Sequence, residues 1–162
     1  MNRVFLRSAE VPLPSWTRAA KDFVLKVLDN QGLKNLEVSI LFCGNSYIKS
    51  LNAQYRNKPE PTDVLSFPMD GIRAEKVSGK GRGRRTGPVP AGDIVISLEA
   101  LEENIIFFKV SPDEELRRLL VHGVLHLLGY DHKTNKKEEP MLKTQEEILL
   151  RLAGQRIQEN VW

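Results

Sequence analysis

Cysteine is nearly absent from this chain. Cys43 is the only one in 162 residues, so no disulfide closes within it. A reducing compartment fits that usage, and a cytoplasmic location is expected. Cys43 ends an apolar run and reads as a small buried core residue. Long apolar runs are missing too. None approaches the roughly 20 residues of a membrane-spanning helix. The opening residues Met1 to Arg7 lack the apolar core of a signal peptide and read as a strand. There is no repeat and no sign of a second domain, so one domain over residues 1–162 is expected.

A large excess of either sign of charge is also missing. The net charge is +3, and it is unevenly spread. Residues 72–90 carry six Lys or Arg and one Glu, so the remainder is slightly acidic. This glycine- and arginine-rich segment has the composition of a flexible loop. Arg82, Arg84 and Arg85 make it a candidate contact for RNA phosphates, against the plain alternative of a solvated charge run.

Histidine is rarest where it is not needed. All three sit in His122-Gly123-Val124-Leu125-His126-Leu127-Leu128-Gly129-Tyr130-Asp131-His132. His122 and His126 are four apart, so on a helix they share a face with Cβ atoms about 5–6 Å apart. That spacing lets both imidazoles reach one ion at about 2.0–2.1 Å. Gly129 is placed to end the helix in a left-handed turn, after which His132 can return to the same ion. Three protein ligands on zinc leave a fourth position for water or substrate, the arrangement of a catalytic site. The flanking leucines and valines sharpen the point, because polar rings in apolar surroundings need partners. The spacing matches the longer zinc-protease pattern, yet Gly123 stands where that pattern places a general-base glutamate. A metallopeptidase is therefore disfavoured, and would need an acid such as Glu138 or Glu139.

Periodicity predicts an α+β fold, a small mixed sheet packed with helices and a zincin-like metal helix at its centre. Strands are expected over residues 4–7, 36–43, 63–68 and 93–97. Helices are expected from Ser15 to Asn30, from Asn45 or Ser46 past Tyr55, over 98–108, 113–128 and 139–153. Ser15 and either Asn45 or Ser46 are the expected caps of the first two. Ser111-Pro112-Asp113-Glu114 is a strong helix start. Met141 reads as a core residue of the last helix, and Tyr130 as a wall of the metal pocket or a base-stacking ring.

The histidine segment resembles the metal motif of the YbeY family, the bacterial rRNA maturation endoribonucleases. Two further blocks are similar and stand in the family's order: Leu51-Asn52-x-x-Tyr55-Arg56 with Pro61 to Pro68, and Gly92 to Ser97. The resemblance implies a zinc-dependent, single-strand-directed endoribonuclease of 16S rRNA 3′-end maturation and ribosome quality control. Its partners would be rRNA and the small ribosomal subunit. It implies zinc on His122, His126 and His132, and Arg56 near the metal handling phosphate. A planar, permanently charged guanidinium suits that task, though a salt bridge to Glu60 or Asp63 is the plainer reading of Arg56. The segment 72–90 departs from the family by being longer and more basic. Asp131 is expected to orient a ligand imidazole, to act as a base, or simply to shape the turn. The rival to catalysis is a zinc-stabilised ribosome assembly factor.

Overall fold

Strand β2 (Leu36–Cys43) alternates and then turns wholly apolar because both of its faces are covered. It lies inside a four-stranded sheet of order β1-β2-β4-β3, with β1 (Arg3–Ser8), β3 (Val64–Pro68) and β4 (Val89–Ser97). β1, β2 and β4 run parallel, and β3 pairs antiparallel with β4 as the outer strand. The computed structural model describes residues 1–69 and 87–157. The basic arginines Arg82, Arg84 and Arg85 therefore lie outside the described residues.

Helix α1 (Thr17–Asn30) crosses between β1 and β2, and α2 (Asn45–Arg56) follows β2. Then α3 (Leu98–Phe108), α4 (Pro112–Leu127) and α5 (Pro140–Arg151) complete the domain. The larger core gathers Phe23, Val27 and Leu28 of α1, Ile40 and Phe42 of β2, Ile94 of β4, Leu120 and Val124 of α4, and Ile148 of α5. α2 covers the opposite sheet face through Ile48, which packs with Cys43, Leu65 and Val95. Met141 is a core residue, as its helical position implies. Cys43 is fully buried, and burial raises its thiol pKa to about 11, so it stays protonated and inert.

α4 is the element that positions the site. Ser111 caps it by accepting the Glu114 N–H at 3.1 Å, with Pro112 in the first turn. Its far end closes as predicted at Gly129, whose φ is +93°. There Tyr130 N–H donates to Leu125 O at 3.0 Å and Gly129 N–H to His126 O at 3.1 Å. This pair of bonds is the Schellman closure, which turns the chain back across the helix end.

Three local expectations are corrected. Ser15 does not cap α1, where Trp16 holds the cap position with no side-chain capping bond to the helix and sets its ring at a right angle to that of Phe42, centroids 5.3 Å apart. Neither Asn45 nor Ser46 caps α2; Gly44 occupies that place, and Glu99, in the first turn of α3 beyond the neighbouring strand, accepts the Asn45 N–H at 2.9 Å. A distant carboxylate does there what a local side chain was expected to do. Finally, β4 begins at Val89, inside the segment read as loop. A register shift at Glu37/Val38 and a positive φ of 137° at Gly92 let it continue through Pro90.

Candidate metal centre

His122 and His126 rise from adjacent turns of α4, and His132 comes from the segment beyond Gly129. Their ring centroids lie 4.6, 5.2 and 5.4 Å apart. One ring nitrogen from each falls within 4.8 Å of the others. The expected gathering of three imidazoles is therefore present.

The other nitrogen of each ring is tied elsewhere. His126 Nδ1 is 3.0 Å from Tyr130 O, and His132 Nδ1 is 2.9 Å from Thr134 O. His122 Nδ1 is 2.8 Å from Gln145 Oε1 on α5. A backbone carbonyl only accepts, so at His126 and His132 the proton sits on Nδ1 and the lone pair on Nε2. With Gln145 presenting its oxygen, His122 takes the same tautomer. His122 Nε2 and His126 Nε2 then face each other 3.1 Å apart with no proton between them. Two lone pairs at that distance repel, and a shared cation removes the repulsion. Two nitrogens about 2.0–2.1 Å from one tetrahedral ion stand about 3.3 Å apart, close to the separation here. The donor set fits a metal.

Electrostatics point the same way. Burial lowers the His122 pKa, partly opposed by the Gln145 hydrogen bond. Burial, followed by the neighbouring His122 and His132, takes His126 down to about 4. Near neutral pH both rings are in the uncharged, ligating form.

Gly123 has a packing role. A Cβ there would lie 2.8 Å from Ile94 Cγ2, so α4 approaches β4 more closely than any side chain allows. Its carbonyl accepts the Ser66 hydroxyl at 3.0 Å, which fastens β3 to the helix that carries His122 and His126. A side chain at 123 is directed into the sheet. Glu139, one of the acids a peptidase would require, instead accepts the backbone N–H and hydroxyl of Thr134 at 3.2 and 2.8 Å. It shapes the loop whose carbonyl holds His132.

Asp131 hydrogen-bonds no imidazole, contrary to one expectation. Its Oδ1 accepts the backbone N–H of His132 at 2.8 Å, the turn role. The three Nδ1 atoms already have other acceptors, so it steadies His132 through the main chain. Arg56 is exposed at the end of α2, and among the described residues it forms no ion pair. The salt-bridge reading is not met: Asp63 receives Asn104 Nδ2 at 2.9 Å and its own Val64 N–H at 2.8 Å. Arg56 is likewise not hydrogen-bonded to the histidines. Sequence reasoning missed Gln145 and the Tyr130 carbonyl. The first carried a signal, a polar residue on the inward stripe of an amphipathic helix; a backbone carbonyl carries none.

The family model described as Endoribonuclease YbeY matches residues 6–153. The endoribonuclease YbeY of Treponema denticola is 45% identical over 137 residues, covering 85% of this chain and 84% of that one. That of Borreliella afzelii is 43% identical over 129 residues, covering 79% and 81%. The solution structure of TM1509 from Thermotoga maritima superposes with a TM-score of 0.60 at 26% identity, covering 95% of this chain and 90% of that one. From β1 to the end of α5, with the histidine turn between, the chain belongs to the YbeY family.

Proposed function

We propose that this protein is a zinc-dependent endoribonuclease that cuts single-stranded RNA during 16S rRNA 3′-end maturation and ribosome quality control. Family membership supports the RNA-cleaving part. The observation that carries the metal part is the set of three imidazoles whose Nδ1 protons are each held by an acceptor, leaving Nε2 lone pairs turned to one point.

His122, His126 and His132 would hold the ion, and zinc would supply Lewis acidity and lower the pKa of water toward about 7. The residues do the positioning. Gln145, Tyr130 O and Thr134 O keep the three rings in one tautomer and orientation. Arg56, exposed and without an ion-pair partner, would take a phosphate oxygen with its guanidinium and stabilise charge that develops there. The basic residues Arg82, Arg84 and Arg85 would add phosphate contacts. No general base is needed at position 123, which is filled by the contact with Ile94. The partners under this reading are rRNA and the small ribosomal subunit, in the cytoplasm.

The test pairs metal content with cleavage. Wild type and His126→Ala are purified, their metal is quantified, and both are incubated with a single-stranded rRNA fragment with and without chelator. About one zinc per chain is expected in wild type, with cleavage lost in a folded variant. Equal cleavage by both proteins refutes the nuclease reading and leaves a zinc-stabilised assembly factor.

A further inference from the structure

Apolar side chains stand open where the end of α2 meets β3. Tyr55, the residue before Arg56, is 61% exposed. Its ring packs against that of Phe67 on β3 in a T-shaped pair, centroids 5.2 Å apart at 68°. Met69, just past the end of β3, is 51% exposed. Phe67 steadies the tyrosine ring while most of Tyr55 stays open to solvent.

Phe67 packs with Cys43, Ile48 and Leu65 on the sheet face that α2 covers, whereas α4 and its histidines lie on the other face. Ser66, next to Phe67, donates its hydroxyl to the carbonyl of Gly123, which follows His122 directly. Successive side chains alternate between the two faces of a strand, so the outer strand β3 lies between the tyrosine and the metal centre. The surroundings select the occupant. Arg56 and Lys58 are exposed and form no ion pair among the described residues. The chain also runs from Met69 into the basic segment. A flat ring flanked by free cations matches a nucleotide, with its base on the ring and its phosphate on the guanidinium.

We propose that Tyr55, backed by Phe67, is a stacking platform for one unpaired RNA base, and that it selects single strands over duplex. The inference rests on the RNA-cleaving reading above. A base within a duplex is already stacked and paired, so only an unpaired base can lie on Tyr55 without an unstacking cost.

The test compares wild type, Tyr55→Ala and Tyr55→Phe. The probe is a fluorescein-labelled single-stranded RNA of 16S 3′-end sequence, read by anisotropy. A second strand carrying 2-aminopurine reports stacking by quenching. Tyr55→Ala should bind between about fivefold and about a hundredfold more weakly, the range of one base–aromatic stack. It should lose the quenching and keep its metal content, whereas Tyr55→Phe keeps both affinity and quenching. The salt slope separates stacking from charge: Arg56→Ala should reduce it by about 0.7, the share of one phosphate on a single strand. Tyr55→Ala should leave it unchanged. Wild type and Tyr55→Ala that bind and cleave equally overturn the platform while the nuclease stands. A wild type that neither binds nor cleaves the strand overturns both. A change confined to sedimentation mass in Tyr55→Ala refutes the platform and assigns these apolar side chains to a contact between copies of the chain.

Discussion

Gly123→Ala should destabilise this protein although it removes a glycine from the middle of a helix. In an exposed helix the exchange gains about 1 kcal/mol. Here the new Cβ would stand 2.8, 3.1 and 3.2 Å from Cγ2, Cδ1 and Cγ1 of Ile94. Carbon atoms rest about 3.5–4.0 Å apart. Ile94 is fully buried on β4, between β2 and β3, so neither its side chain nor its backbone has room to retreat. Overpacking of this kind costs about 1–3 kcal/mol. The net expectation is a loss of about 1 kcal/mol, or roughly 2–4 °C in Tm for a chain of this size. Urea unfolding of wild type, Gly123→Ala, Ile94→Ala and the double variant measures it. Ile94→Ala alone should cost about 2–5 kcal/mol. It deletes all three contacting atoms, so in that background Gly123→Ala should become neutral or stabilising. The two changes are then coupled by about 1–3 kcal/mol. A Gly123→Ala protein more stable than wild type, or an effect identical in both backgrounds, would refute the claim that helix–sheet approach dictates the glycine.

The remaining predictions concern the ligand set. Gln145→Leu should weaken zinc binding about 10- to 100-fold, because His122 loses the acceptor that fixes its Nδ1 proton; Gln145→Glu keeps an acceptor and should retain most of the affinity. Competition with a chromophoric chelator reads both, and equal affinity in the leucine variant removes the role. Asp131→Ala should cost about 0.5–1.5 kcal/mol in urea titration while Asp131→Asn stays near wild type, since only an acceptor for the His132 N–H is required; two equal losses would mean that the charge matters instead. Stability of the metal-free protein should also depend on pH through His126. Its folded pKa of about 4 lies below the ordinary 6.5, so between these values the unfolded chain binds more protons. This contribution is fully present above pH 6.5 and is lost as pH falls toward 4. The urea midpoint should therefore drop between pH 7 and pH 5, and less so in His126→Asn. An identical drop in both proteins contradicts the assignment.

What was legible in the sequence shares one property: its cause lies within a few residues. The Ser111 cap, the Gly129 turn and the four-residue spacing of His122 and His126 are local geometry, and they stand where the pattern puts them. The misplaced caps of α1 and α2 failed for the opposite reason. At α2 the backbone N–H is satisfied by Glu99, 54 residues away, and nothing near Asn45 announces that. The strand order and the early start of β4 likewise depend on pairing across the sheet. Gln145 is the instructive intermediate. Its contact with His122 spans 23 residues, yet a physical argument reaches it. Three ligating imidazoles demand three acceptors for their Nδ1 protons. A polar side chain on the apolar stripe of α5, between Met141 and Ile148, must itself find a partner, because buried polar groups are rarely left unpaired. Gln145 is only 5% exposed, and the nearby demand and the buried amide satisfy each other. In a histidine site of this kind, the polar residue that interrupts the core face of the neighbouring helix is the first place to look for the group that orients a ligand.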